Sequence, residues 1–315
     1  LFNLRESDDY GVLELGMDKK GEIDYLSKIL QPNVSVITNI NYAHAKNFKN
    51  IKGIALAKSE IIHNTQANGH VILNADDRFF KFHQNIALKK NLNVISFGIK
   101  NRKSDVKFIK IKKNTKNFQI TIEMNNLRKN FTVLNNFQSN IYNTLSALAI
   151  ISVYVDIFQL DERFFLNFKT PSGRGDLLKV KIKKKTINLI DETYNSNPLS
   201  LKSAILNYDK IDSKGSKKYL LIGDMLELGR LSNKLHQSIV PTINRTKVDK
   251  VFVKGKKAQL IFKKLSKSKR GKVLKNKQDI IKLIKNRLNN NDYLMIKASN
   301  ATGFNKIVRN LKGLN

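Results

Sequence analysis

Three residues with complementary chemistry stand near the ends of apolar runs in the first sixty positions. Glu14 lies in Val12-Leu13-Glu14-Leu15-Gly16, His44 follows Val36-Ile37-Thr38-Asn39-Ile40, and Lys58 comes one short loop later in a helix-like segment. An apolar, β-branched run ending in Thr-Asn has the pattern of a buried strand reaching the carboxyl edge of a parallel sheet. Ligands of open α/β sheets collect at that edge. Brought together there, Glu14, His44 and Lys58 would form a metal-binding set if the lysine were made anionic. On spacing alone, Lys58 reads first as a lysine on a helix surface.

Further groups suited to nucleotide and carboxylate chemistry follow. Asn140 and Asn143 fall on one face of a helical segment, where two asparagines can also simply begin and cap a helix. Arg174, after Gly173, offers a planar fork that binds oxyanions bidentately, although a linker arginine would look the same. Asp191-Glu192-Thr193-Tyr194-Asn195-Ser196-Asn197-Pro198 and Gly223-Asp224-Met225-Leu226-Glu227-Leu228-Gly229 each follow an apolar run and precede a helical one. Such turns place Asp, Asn and Glu at a sheet edge, or use them only as helix caps. Lys297-Ala298-Ser299-Asn300 ends a third run of this kind. Gly53 to Ser59 is one residue short of a phosphate loop, and G-x-x-x-x-G-K-[ST] occurs nowhere in the chain.

The elements that must position these groups alternate between strand and helix. Residues 1–100 carry apolar runs at Val12-Leu15, Val34-Ile37, His70-Leu73 and Asn93-Phe97, with helical spacing at Glu22-Leu30 and Gly53-Asn64. This predicts a doubly wound parallel sheet. Val106-Ile109, Phe118-Ile122 and Phe131-Leu134 read as short antiparallel strands, followed by helices at Ile141-Val155 and Asp161-Phe168. The Pro/Gly-dense stretch Thr170-Gly175 divides the chain into a domain of residues 1–172 and a Rossmann-like domain of residues 173–315. The second has strands predicted at Ile187-Ile190, Tyr219-Ile222, Lys250-Val253 and Tyr293-Ile296. Its helices are predicted near Leu199-Asn207, Asn233-Asn244, Ala258-Lys267, Gln278-Leu288 and Thr302-Leu311.

Composition narrows the class. At 315 residues the chain can bury two cores, and no apolar run approaches the ~20 residues of a membrane-spanning helix. No signal-peptide pattern opens the sequence, and the absence of cysteine fits a cytoplasmic protein. The formal net charge of +33 would suit nucleic-acid binding. The excess is lysine rather than arginine and is spread along the chain, densest from Lys254 to Arg287, as on a solvated surface.

The motifs together resemble the Mur ligases, ATP-dependent enzymes that form amide bonds in peptidoglycan synthesis. The match runs through Val12-Gly16, Gly21-Glu22-Ile23, Thr38-Asn39-Ile40, Ala43-His44, Ala57-Lys58-Ser59-Glu60 and Asn74-Ala75-Asp76-Asp77. It implies that Lys58 is carbamylated and holds magnesium with Glu14 and His44, while Asn140, Asn143, Arg174, Asp191, Tyr194 and Asn195 hold ATP. The Asp191–Pro198 and Gly223–Gly229 motifs are similar to those of the branch that adds D-alanyl-D-alanine to UDP-N-acetylmuramoyl-tripeptide. For that branch, Asp224, Glu227, Lys297 and Ser299 would place the dipeptide.

Departures are informative. Phe137 and Ser139 replace a glycine and a histidine of the adenine segment, and Ala298 and Asn300 replace the glycine and arginine of K-G-S-R. The phosphate loop and the amino-terminal UDP-sugar domain have no counterpart, so these 315 residues alone are not expected to ligate. The expectation is an α/β, cytoplasmic, monomeric ligase using ATP and Mg²⁺, without membrane insertion or specific nucleic-acid binding. Two alternatives are a folylpolyglutamate synthase-like ligase and a basic nucleic-acid-binding protein on an inactive scaffold.

Overall fold

The structure, a computed structural model, describes residues 5–42, 45–168, 171–182 and 184–312. The first unit contains α1 (Glu22–Leu30), β1 (Val34–Ile37), α2 (Ile51–His63), β2 (His70–Asn74), α3 (Phe80–Lys89) and β3 (Asn93–Gly98). It continues with β4 (Val106–Lys113), β5 (Phe118–Met124), β6 (Leu127–Val133) and α4 (Gln138–Ile151). Its six strands lie in sequence order; β1 to β4 pair in parallel, and β4, β5 and β6 form an antiparallel meander. Strand β2 shows how the sheet is covered on both faces. Val71 and Leu73 pack with Ile54, Ala57 and Ile62 of α2, while Ile72 points the other way toward Leu145 and Leu148 of α4.

The second unit contains β7 (Asp176–Ile182), β8 (Lys185–Glu192), α5 (Pro198–Asp209), β9 (Lys218–Gly223), α6 (Ser232–Gln237) and α7 (Val240–Asn244). Then follow β10 (Lys250–Lys254), α8 (Ala258–Lys264), β11 (Arg270–Val273), α9 (Lys277–Arg287), β12 (Tyr293–Lys297) and α10 (Phe304–Lys312). Its strand order is β11-β10-β9-β12-β8-β7, parallel throughout except for the β7–β8 hairpin. Strand β12 returns between β9 and β8, so the turns leaving β8, β9 and β12 converge at one carboxyl edge. Leu220 and Ile222 of β9 face α5, α7 and α8, whereas Tyr219 and Leu221 face α9 and α10.

Several predicted elements differ. Residues Val12 to Leu15 form no strand, and Val12 is 96% exposed. Among the described residues β1 is an edge strand with β2 as its one neighbour, and Val12 to Leu15 does not pair with its open side. Asp161–Phe168 is a series of turns in which Phe165 packs edge-on against Phe131. The single helix expected over Asn233–Asn244 is two short ones, because Pro241 cannot donate to the preceding turn and starts α7 instead. Strand β7 was not predicted, although Leu178, Val180 and Ile182 alternate with Lys179 and Lys181 as a half-buried strand should. Helix α3 and strand β11 were also not predicted.

Candidate active site

Lys58 is fixed by the way α2 begins and packs. Asn50 caps the helix, its side chain accepting from the Gly53 N–H at 3.1 Å. Ala55 and Ala57 are fully buried, which turns the neighbouring Lys58 toward the loop leaving β1. There its Nζ donates to the Asn39 carbonyl at 3.0 Å. Burial pushes the Lys58 amine below its usual range, against the opposing pull of the Asp77 and Glu14 carboxylates. A larger share of neutral amine is the chemical result.

Asp77 is a functional candidate that sequence reasoning passed over. It follows β2, the parallel neighbour of β1, and so emerges at the same sheet edge. One carboxylate oxygen accepts from Ile40 N at 2.8 Å and the other from Phe79 N at 2.8 Å, which ties the two strand exits together beside Lys58. Its neighbour Asp76 turns the chain after the strand. It accepts from the backbone N–H groups of Ile99, Lys100 and Asn101, and from the Tyr142 hydroxyl at 2.8 Å. His83 is buried with Nε2 3.1 Å from the Ala55 carbonyl, in a packing position.

The structure brings the electrostatic influence of Glu14 to Lys58, but Glu14 sits on an exposed, non-strand segment. His44 lies outside the described residues. Among the described residues no three His, Asp or Glu side chains cluster as a metal site. A divalent cation at Lys58 would meet an ammonium unless that amine were carbamylated, which would supply oxygen donors of the kind magnesium prefers.

The nucleotide candidates are split between two places. Asn143 is exposed on α4, and Asn140 donates to the Asn135 side chain at 2.9 Å. Arg174 lies across the Tyr194 ring, 4.1 Å from its centroid. Gly173 makes this stack possible: its φ is +81°, and a Cβ there would sit 3.0 Å from the Tyr194 amide nitrogen. Asp191 is buried at the end of β8, where it accepts from the Thr193 N–H at 3.1 Å and from the Thr193 hydroxyl at 2.7 Å. Asn195 is exposed; its side chain accepts from Ser196 N at 2.7 Å.

The carboxyl-edge turns of β8, β9 and β12 are knitted together. Lys297 Nζ is buried 3.1 Å from a Glu192 carboxylate oxygen and 3.0 Å from the Asn195 carbonyl. Ser299 donates through Oγ to the Ser196 carbonyl at 3.1 Å and accepts from Leu226 N at 2.9 Å. Asp224 caps α8, one oxygen accepting from Lys257 N at 3.0 Å and Ala258 N at 2.7 Å. Gly255 must be a glycine here, since its φ is +126° and a Cβ would stand 2.2 Å from that same oxygen. His236 is buried behind the turn; its Nε2 accepts from Met225 N at 3.0 Å.

The two units meet at this edge. Tyr42 of the first unit closes a cleft of about 140 Å³ whose other walls include Asn195, Ser196, Glu227, Ser299 and Asn300. Among the described residues the Ser196 hydroxyl, buried there, has no hydrogen-bond partner. Beside the cleft, the Lys46 N–H donates to the Glu227 carbonyl at 2.9 Å, and the Arg230 guanidinium donates to the Lys49 carbonyl at 2.8 Å. The structure therefore has a half-buried lysine of lowered pKa in the first unit and a small polar cleft where the two units meet. Such a cleft can hold a short, hydrogen-bonding substrate away from water.

Comparison with known proteins agrees with this geometry. Residues 1–151 match the family described as Mur ligase middle domain, and residues 174–300 match the Mur ligase, glutamate ligase domain. The UDP-N-acetylmuramoyl-tripeptide–D-alanyl-D-alanine ligase of Buchnera aphidicola subsp. Acyrthosiphon pisum is 32% identical over 326 residues, covering 99% of this chain and 67% of its own. The Rickettsia prowazekii ligase of the same name is 29% identical over 311 residues, covering 98% and 67%. MurF from Acinetobacter baumannii has a similar structure, with a TM-score of 0.84 and 25% identity over 98% of this chain and 66% of its own. The chain spans about two thirds of the length of each of these relatives. With matching domains in the same order and this identity over nearly its whole length, the chain belongs to the Mur ligase family.

Proposed function

We propose that this chain forms part of an ATP-dependent ligase that adds D-alanyl-D-alanine to UDP-N-acetylmuramoyl-tripeptide in peptidoglycan synthesis. The tripeptide carboxylate attacks the γ-phosphorus of ATP, and ADP leaves. The dipeptide amine then attacks the acyl phosphate carbonyl, loses a proton, and phosphate departs with the C–O bond. The observation that carries the reading is the cleft under Tyr42, where the Asp191–Pro198 and Gly223–Gly229 turns meet the first unit. The folylpolyglutamate synthase-like alternative does not account for these two turns. A domain boundary near Gly173 supports movement of one unit on the other, which would exclude water from the acyl phosphate.

Within this reading, carbamylated Lys58 with Glu14 and His44 would hold magnesium, which would neutralise charge on the phosphate oxygens. Arg174 leaves its stack on Tyr194 to reach phosphate oxygens, and Asp191, Tyr194 and Asn195 line the nucleotide side with Asn140 and Asn143. Glu227 and Ser299 face the dipeptide in the cleft. Asp224 and Lys297 act from behind it, because their polar atoms already hold α8, Glu192 and Asn195 in place. The lack of cysteine suits a cytoplasmic enzyme.

The test is ADP release by the whole gene product, given UDP-N-acetylmuramoyl-tripeptide and ATP with or without D-alanyl-D-alanine. Release that depends on the dipeptide supports the assignment. Release with L-glutamate and a folate in its place would favour the alternative ligase. No substrate-dependent release would overturn both.

A further inference from the structure

The second sheet has two edges of opposite character. Every group discussed above in this unit lies at the carboxyl edge of its parallel strands. At the amino edge, the segments 244–250 and 263–270 are bound together by hydrogen bonds. Ser266 N donates to the Asn244 side chain at 3.2 Å, and Lys250 Nζ to the Ser268 carbonyl at 2.8 Å. Lys269 Nζ donates to the carbonyls of Thr246 and Val248 at 2.7 and 2.6 Å, and Arg270 to those of Lys263 and Leu265 at 2.8 and 3.0 Å. These bonds use Lys250, Lys269 and Arg270 as internal braces. They also hold Arg245, Lys247, Lys263, Lys264 and Lys267 around one corner of the unit, all five exposed.

Among the described residues, no ion pair involves any of these five side chains. Between Asn244 and Arg270 the sequence has eleven Lys and Arg against one carboxylate, Asp249. Two carboxylates beside this corner are oriented by backbone amides: Asp209 accepts from Lys247 N at 2.6 Å, and Asp249 from Lys218 N at 2.7 Å. Lys263 and Lys264 also complement the carboxyl end of α8, which gives them a local role. Arg245 stands at the carboxyl cap of α7 and Lys267 in the short turn Lys267–Lys269, whereas Lys247 lies at no helix end.

The corner cannot serve the cleft, because strand β10 alone separates them by about 15 Å. It is also poorly built for nucleic acid. The two aromatic residues of this stretch are Phe252, buried, and Phe262, packed against the core, so no ring is exposed for base stacking. A patch of cations without ion pairs at short turns, with no exposed aromatic in this stretch, suits an anionic surface that needs only charge neutralisation. We propose that Arg245, Lys247, Lys263, Lys264 and Lys267 form a peripheral docking site for an anionic phospholipid bilayer, with the substrate cleft turned away from the membrane. This inference does not depend on the ligase assignment.

Each lysine or arginine near an anionic membrane contributes about fivefold to partitioning, so five contribute on the order of 10³. The test is co-sedimentation of this chain with vesicles of one part phosphatidylglycerol to two parts phosphatidylcholine, and with pure phosphatidylcholine. Binding should require the anionic lipid and should weaken as salt rises above about 0.15 M. The variant R245Q/K247Q/K263Q/K264Q/K267Q should lose at least 100-fold, on the estimate above. Five exposed lysines of the first unit supply the control, K103Q/K110Q/K112Q/K113Q/K116Q, which removes the same charge. It should bind within about threefold of the parent, as expected where only distant, screened charge is lost. Equal losses in the two variants would mean that net charge alone drives binding, and would overturn the proposal. So would absence of vesicle binding, or patch-dependent binding to duplex DNA that is tighter than binding to vesicles.

Discussion

The backbone N–H of Lys46 donates to the carbonyl of Glu227 at 2.9 Å, across the junction of the two units. Glu227 adopts φ +61° to present that carbonyl, and Gly229 follows at φ +52° with the Lys46 backbone against its Cα. Lys46 belongs to the segment that leads from the exit of β1 toward Asn50 and α2. The Gly223–Gly229 turn therefore does more than line a cleft. It holds the loop that runs to the cap of the Lys58 helix.

Gly229→Val should open this contact. A Cβ at Gly229 would lie 2.8 Å from Lys46 Cα, so the Lys46 segment must move. Exchange of the Lys46 amide hydrogen should quicken by an order of magnitude or more, as expected when about 1.4 kcal/mol of protection is lost. Gly215→Val is the control: its φ is +83°, but nothing lies within 4 Å of a Cβ there. It should cost only the left-handed strain of about 1–2 kcal/mol and leave Lys46 exchange unchanged. If both variants changed Lys46 exchange equally, the junction contact would not be what holds the loop.

Lys58 should trade stability for chemistry. Burial lowers its pKa in the folded state, so protonation opposes folding. That penalty is fully present below the depressed folded pKa and fades as pH rises toward the ordinary lysine value of 10.5. Lys58→Met should therefore raise the urea midpoint at pH 7, with a gain that shrinks as pH approaches 10. The same substitution should abolish dipeptide-dependent turnover in the whole gene product. In Lys58→Ala, added short carboxylates should restore part of the turnover by supplying the missing oxygens. A Lys58→Met protein that is less stable at pH 7, or still active, would contradict this account.

What the sequence made legible was the identity of strand ends. Asp191, Asp224 and Lys297 could each be placed at a carboxyl edge because apolar runs of strand length precede them. Their hydrogen-bond commitments could not be read. The Asp224 carboxylate looks available until β9 and β10 are side by side and Lys257 and Ala258 point their amides at it. Asp77 was overlooked for a similar reason, since its approach to Lys58 depends on β1 and β2 being neighbours. Val12–Leu15 failed in the opposite sense. Its pattern fits a strand, but a strand also needs a partner, and pattern carries no information about partners. The Arg174–Tyr194 stack was equally invisible, because a single glycine at φ +81° folds the linker back onto the turn after β8.

His236 should make the second unit acid-sensitive. Its Nε2 accepts from Met225 N at 3.0 Å, and its Nδ1 donates to the Ser232 carbonyl at 2.7 Å, an arrangement that needs the neutral ring. Burial is the main cause of its lowered pKa. Since the unfolded chain takes up this proton more readily, stability is lost as pH falls through the ordinary histidine value of 6.5. The urea midpoint should fall between pH 7.5 and pH 5.5. His236→Gln, whose amide oxygen can accept from Met225, should reduce that fall. It should not remove it, because burial lowers the pKa of His83 in the same way. An unchanged pH dependence in the variant would show that His236 is not the sensing group.

Lys297 and Glu192 should behave as a unit. The lysine side chain is 3% exposed and the carboxylate 19%, and the ammonium also holds the Asn195 carbonyl at 3.0 Å. Lys297→Met would leave the Glu192 charge at the mouth of β8 without its cation, and the Asn195 carbonyl without its donor. Breaking a buried pair in this way typically costs about 3–5 kcal/mol, and partial access of water to Glu192 places the expectation near the lower end. Glu192→Gln alone should cost less, because the amide oxygen can still accept from Nζ. The double variant Lys297→Met/Glu192→Gln should recover much of the Lys297→Met loss, since no uncompensated charge remains. Urea unfolding of the three variants reads the coupling directly. Additive losses would mean that the 3.1 Å contact carries no pairing energy, and that Lys297 is held in place by packing alone.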